Sequence, residues 1–124
     1  SETLFIIAGV GSHLAIEIMK NVLSQFSEKK IHFLLCPHQD SFYLRYFLRQ
    51  NKIGLVEEFW IEDRGVGYDI FLACNTLSNV QNISLINSKM DIKFKNIVKN
   101  HLSLKKKFNT LSHIEKATYD EIFI

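Results

Sequence analysis

The chain has 124 residues, 47% hydrophobic and 23% charged, with a formal net charge of +2 and a mean hydropathy of +0.02. That length supports one domain burying on the order of two thirds of its unfolded surface. It holds no run of the ~20 apolar residues that span a bilayer, and its first residues lack the basic start and cleavage pattern of a secretory signal. A soluble, cytoplasmic protein with no membrane partner is therefore expected. Cys36 and Cys74 lie far apart in apolar, strand-like sequence, so buried free thiols are expected rather than a metal site.

The first element is announced by "LFIIAGVGSHLAIEIM", Leu4 to Met19. Leu4 to Ala8 is a short apolar run, Gly9 and Gly11 interrupt it, and from Ser12 the apolar residues recur at helical spacing, which predicts strand, tight turn and helix. Glycines in such a turn permit close approach of a ligand, and the first helical amides can receive an anion or a polar edge. They serve equally to let a helix pack on a sheet. The helix is expected from Ser12 to about Phe26, followed by a polar turn at "SEKK".

"IHFLLC", Ile31 to Cys36, reads as a strand buried on both faces, and its apolar continuity favours a parallel sheet. Pro37 ends it. Asp40 or Ser41 can cap the next helix, whose core side is Phe42, Leu44, Phe47 and Leu48, with Arg45 and Arg49 as an i, i+4 basic pair. Two further strands, about Leu55 to Glu62 and Tyr68 to Cys74, are joined by "DRGVG" and form an antiparallel hairpin, since a parallel return needs a dozen or more residues. Phe59 and Trp60 must face opposite sides of that strand.

Residues 75 to 88 are rich in Asn and Ser and mark a boundary. Beyond them Met90, Phe94, Ile97, His101, Leu104, Phe108 and Leu111 recur at alternating spacings of 4 and 3, a heptad-like seam for a helix or helical hairpin with a break near Asn109 and Thr110. The organisation expected is an α/β domain over 1–76, a linker over 77–88 and a basic helical extension over 89–124. Charge divides the same way: residues 1 to 88 carry seven basic and nine acidic residues, whereas 89 to 116 carry eight lysines against Asp91 and Glu115. Such a lysine concentration attracts a phosphate backbone, and it also solvates a helix whose other face is apolar. Lys95, Lys99 and Lys106 fall near one side of the expected helix, opposite a seam of Met90, Ile97 and Leu104.

Four segments, "AGVGS" (Ala8 to Ser12), "CPH" (Cys36 to His38), "LRYFLRQNK" (Leu44 to Lys52) and "GYDIFLA" (Gly67 to Ala73), occur in the order and at the intervals of a known family. The chain resembles, over about residues 3 to 74, the C-terminal half of bacterial S-adenosylmethionine-dependent tRNA methyltransferases that methylate ring nitrogen one of an adenine in the D-arm. Val10, Ser12, Cys36 and Lys52 depart from that family's pattern. The resemblance implies a class I, Rossmann-like sheet of parallel strands with an antiparallel edge hairpin, followed by helices. It also implies a truncated homologue or fragment that contributes base-side loops and lacks the main cofactor-binding half. S-adenosyl-L-methionine is then the cofactor of the complete enzyme, with none expected on this chain alone.

Loops at the carboxyl ends of parallel strands build ligand crevices, so Gly9, Gly11, Ser12, His13, Pro37 and His38 are the substrate-pocket candidates. Arg45, Arg49, Lys95, Lys99 and Lys106 are the candidates for RNA contact. No catalytic residue or metal ligand is assigned, because no metal spacing, nucleophile elbow or phosphate loop is present. The alternative function is a noncatalytic RNA-binding or protein-assembly module. The expected partners are tRNA and either a second copy or the missing N-terminal half.

Overall fold

The computed structural model describes residues 2–26, 29–76, 83–108 and 111–123, with the side chains of 103–108 and 123 outside that description. Its elements are β1 (Glu2–Ala8), α1 (Ser12–Gln25), β2 (Lys30–Cys36), α2 (Ser41–Gln50), β3 (Gly54–Asp63), β4 (Val66–Cys74), α3 (Ile92–Phe108) and α4 (His113–Phe123). The sheet order is β1-β2-β4-β3. β1 runs parallel to β2 in the register Phe5↔Phe33, with α1 as the crossover. β4 is antiparallel to both β2 and β3.

The hairpin between β3 and β4 turns on two residues, Arg64 and Gly65, with φ of 53° and 80°. Positive φ at both central positions is what matches a two-residue turn to the twist of its strands. A bulge between Leu55 and Glu57 shifts the outer strand by one residue, so Glu58 pairs with Phe71 and shares the face on which β4 places Asp69, Phe71 and Ala73. Asn75 closes the end of β4 onto the start of β2: its side chain accepts from Ile31 N (2.8 Å) and donates to Lys29 O (2.8 Å), while its amide donates to Ile31 O (3.1 Å).

One face of the sheet carries the core. Ile31, Phe33 and Leu35 of β2 and Phe71 and Ala73 of β4 meet Ala15, Met19, Leu44 and Leu48 from α1 and α2. The other face is covered less. His32, Leu34 and Cys36 are half-buried, and at the outer edge Leu4 and Ile6 are 54% and 66% exposed. β2 therefore alternates in burial, in place of the strand buried on both faces expected from its apolar run.

The helical extension packs back on the α/β body. Met90 and Phe94 are buried with Ile86 beside Trp60, and Leu102 is buried with Phe42 and Leu85. The buried row is thus Met90, Phe94, Val98, Leu102, in steps of four. Ile97, expected in the seam, is 50% exposed, and His101 is exposed as well. A row in steps of four drifts around a helix of 3.6 residues per turn, which suits α3 because it meets two surfaces, the hairpin first and α2 later. The expected seam residues Leu104 and Phe108 have side chains outside the described set, as do residues 77–82 of the expected linker. Residues 83–88 are described, and Ile83, Leu85 and Asn87 among them are buried.

Candidate functional site at the carboxyl ends of the parallel strands

β1 ends at Ala8, and the chain leaves the sheet through Gly9, whose φ of +74° is readily adopted only without a Cβ. Gly11 then stands at the N-cap of α1, with no side-chain cap on the helix. A Cβ added at either glycine would meet nothing within 4 Å, so the backbone of this turn borders open space. Its first helical amides are the groups suited to an anionic or polar ligand edge.

Ser12 explains itself once its surroundings are seen. It is buried, and its hydroxyl lies 2.9 Å from the Gln39 carbonyl and 2.8 Å from that of Asp40. His38 N donates to Val10 O at 2.9 Å. The β1–α1 turn and the β2–α2 loop are thereby tied together across 27 positions of sequence. Ser12→Ala is expected to cost about 1 kcal/mol of unfolding free energy, read by urea titration. A loss indistinguishable from that of exposed His13→Ala would show that the tie contributes nothing.

Gly9, Gly11, Ser12, His13, Pro37 and His38 thus share one end of the sheet. Pro37 is buried, His38 and His13 are exposed, and the His13 ring sits 4.9 Å from that of Tyr43. Asp40 is the N-cap of α2 but makes no side-chain cap; its φ is 55°, and its carboxylate instead meets His101 Nε2 at 3.0 Å, joining α3 to the loop. The thiol of Cys36, at the end of β2, is pushed up by burial and then by the Asp69 carboxylate, so it stays protonated at neutral pH and is a poor nucleophile. Among the described residues no group of three or more His, Cys, Asp or Glu side chains is arranged to hold a metal ion.

Arg45 and Arg49 do not join this site. Arg45 is 0% exposed: Nε and Nη2 reach both oxygens of Asp69 at 3.0 and 2.9 Å, Nη2 reaches Glu58 at 3.0 Å, and the guanidinium lies 4.7 Å from the Phe71 ring centre. Arg49 donates to Ile83 O (3.1 Å from Nε) and to Glu121 (2.6 Å), while Glu121 also accepts from Leu85 N (2.6 Å). Both arginines are spent on fixing residues 83–88 and α4 to α2, which removes Arg45 as a nucleic-acid contact and commits Arg49 internally. A guanidinium beside a bidentate carboxylate has little left for phosphate. Of the lysine candidates, Lys95 is half-buried and Lys99 exposed on α3; the side chain of Lys106 lies outside the described residues.

A cavity of about 360 Å³ opens between the β2–α2 loop, the tip of the hairpin and α3, with Trp60, Met90, Phe94 and Ile97 among its walls. Sequence reasoning did not assemble it, since its walls come from three segments separated by 18 and 21 positions. The one available signal was the alternation that separates Trp60 from Phe59: Trp60 turns toward α3, 4.9 Å from Phe94, while Phe59 is exposed.

The model of a family described as a methyltransferase domain matches residues 2–71, from β1 into β4. No curated protein matches the chain. Among solved structures, the B. subtilis M1A22 tRNA methyltransferase TrmK superposes with a TM-score of 0.64 at 14% identity, over 95% of this chain and 58% of its own. The M. capricolum TrmK bound to the natural cofactor product S-adenosyl-homocysteine gives 0.61 at 17% identity, over 96% and 54%. A Streptococcus agalactiae protein of the NADB-Rossmann superfamily gives 0.61 at 20%, over 95% and 57%. At these identities the likeness establishes a shared Rossmann-like fold, and the chain spans somewhat over half the length of the solved structures it resembles. The family match over 2–71 overturns the expectation that this α/β body is only the C-terminal half of a methyltransferase domain. With it goes the derived expectation of a truncated homologue lacking the main cofactor-binding half.

Proposed function

Because the chain belongs to the methyltransferase-domain family, whose model covers residues 2–71, we propose that it transfers a methyl group from S-adenosyl-L-methionine to an adenine of tRNA. The observation that carries this reading is the open glycine turn tied to the β2–α2 loop at the carboxyl ends of β1 and β2. That is the position where open α/β sheets bind ligands. The substrate class is taken by analogy from the B. subtilis tRNA methyltransferase, whose fold this chain shares.

One observation supports the cofactor's fit: the backbone at Gly9 and Gly11 borders open space that a side chain would occupy. These residues and the first amides of α1 would hold its polar end, and the cofactor when bound supplies an electrophilic methyl on a sulfonium. The chain's own work is then to orient the base and exclude water. A ring nitrogen with a free lone pair needs positioning more than activation. His13 and His38, exposed at the same end, are the polar groups nearest in sequence to the two loops and are candidates for the base edge. Lys95 and Lys99, half-buried and exposed on α3, are the candidates for phosphate contact.

The test is methyl transfer from isotopically labelled S-adenosyl-L-methionine to an unmodified tRNA transcript, with digestion and mass spectrometry of the nucleosides. Label in 1-methyladenosine is expected. Folded protein that binds the transcript and leaves its adenines unlabelled would overturn the proposal.

A further inference from the structure

We propose that the open face of the sheet is covered by a second copy of this chain, packed face to face about a twofold axis. Among the described residues the helices meet the sheet on the side of Phe33, Phe71 and Trp60. On the other side the register sets Ile6 beside Leu34, Leu34 beside Leu72, and Phe59 beside Ile70. One apolar strip therefore crosses every strand, from Leu4 on β1 to Ile61 on β3. Ile6, Phe59 and Ile61 are exposed. Leu34, Ile70 and Leu72 stand on interior strands yet are only half-buried, and they join none of the clusters that the helices build. A parallel pair such as β1 and β2 ordinarily has both faces covered, and a contiguous apolar patch marks a surface of association.

Three features choose the occupant. The strip is apolar along its length, so a twofold that reverses it lays apolar side chains on apolar side chains, the self-complementarity that an isologous interface requires. Its ends differ in charge: beside Leu4 stand His32 and the Glu2–Lys30 pair (3.0 Å), and beyond Ile61 stands Asp63. Reversal brings Asp63 of one copy toward His32 and Lys30 of the other, which favours that orientation. The area also suffices. Four strands about 4.8 Å apart, each offering about seven residues at about 3.3 Å per residue, make a face on the order of 450 Å². Two copies cover on the order of 900 Å² before side-chain relief adds to it, close to the ~1,000 Å² that a specific interface needs. A lipid surface fits less well, because Glu57 and Asp63 lie on the same face of β3 and anionic headgroups repel them. The pairing rests on the sheet alone and stands whether or not the chain transfers methyl groups.

Sedimentation velocity over about 1–200 μM protein is expected to show a monomer–dimer equilibrium with a dissociation constant in the micromolar range. Phe59→Lys, at an exposed position on the strand farthest from β1, is expected to weaken the dimer by about tenfold or more with an unchanged circular dichroism spectrum. Ile6→Lys is a second variant with the same expected effect. Ile92→Lys, exposed on α3, is expected to leave the equilibrium as it is. A monomer throughout, a monomer that instead floats with phosphatidylcholine–phosphatidylglycerol vesicles, or a dimer that both folded variants leave intact would each overturn the proposal. So would a dimer lost in Ile6→Lys and kept in folded Phe59→Lys, because that result puts the contact at the outer edge of β1 and not on the face.

Discussion

Arg45→Met is expected to lower the unfolding free energy by about 3–5 kcal/mol, the usual cost of breaking a buried ion pair from one side. The guanidinium is fully buried and neutralises two carboxylates, Asp69 and Glu58. Asp69, itself 5% exposed, keeps its bonds from the Ser41 hydroxyl (2.7 Å) and Asn87 Nδ2 (2.8 Å), but these neutral donors cannot offset a full charge in low dielectric. Methionine nearly fills the vacated volume, so the loss isolates charge from packing. Against a total of about 5–15 kcal/mol for a typical domain, such a change consumes from about a fifth of the stability to nearly all of it. Chemical denaturation followed by far-ultraviolet circular dichroism measures it. Adding Asp69→Asn to Arg45→Met should recover part of the loss, whereas simple additivity of the two single losses would show that the residues do not act as a pair.

Gly67→Ala is the second large effect. Gly67 is not conformationally special; it is needed for room. A Cβ there would overlap the Trp60 ring and stand 2.9 Å from Phe94 Cδ1, and an indole locked in a strand-to-helix contact has few rotamers in which to escape. Overpacking of this kind costs about 1–3 kcal/mol. The displaced indole should also show red-shifted emission, because it loses Phe94 and gains water. A variant with wild-type emission and an unchanged denaturation midpoint would show that the hairpin yields freely at this point, and that the contact of Trp60 with α3 is loose.

These two positions also show where the sequence could be read and where it could not. The strand-turn-helix at "AGVGS", the second strand ending before Pro37 and the hairpin on "DRGVG" were legible because each depends on local periodicity and breakers; the break expected near Asn109 and Thr110 lies outside the described residues. Arg45 was not legible. An arginine four residues from another on an amphipathic helix looks like a solvated pair, and its true partners lie 13 and 24 positions away, where only the β3 bulge and the packing of the sheet could bring them. Asp40 holds the N-cap position expected for it or Ser41, but its carboxylate goes to His101, 61 positions on, and makes no side-chain cap. The expected seam holds at Met90 and Phe94 and falls one residue early at Ile97 and His101, because a heptad template presumes one partner surface, and the helix has two. The meeting of the two loops was easier to foresee than the clamp, since loops at strand ends are placed by topology once strands are known. The cavity beside it was hidden, because no local pattern records which distant segments will face one another.

The place of β4 governs how the molecule can be made. It is the last strand among the described residues, yet it lies inside the sheet, between β2 and β3, and Asn75 bolts its end to Lys29 and Ile31. During synthesis the edge of β2 that β4 will occupy stays unpaired until residue 75 has cleared the ribosome. The β3–β4 hairpin, by contrast, is local and can zip in about 1–10 μs once both its strands emerge. The hairpin thus arrives at β2 as a preformed unit, and docking it, with its cost in loop closure, is the step that separates a nascent chain with an open sheet from one with a closed core.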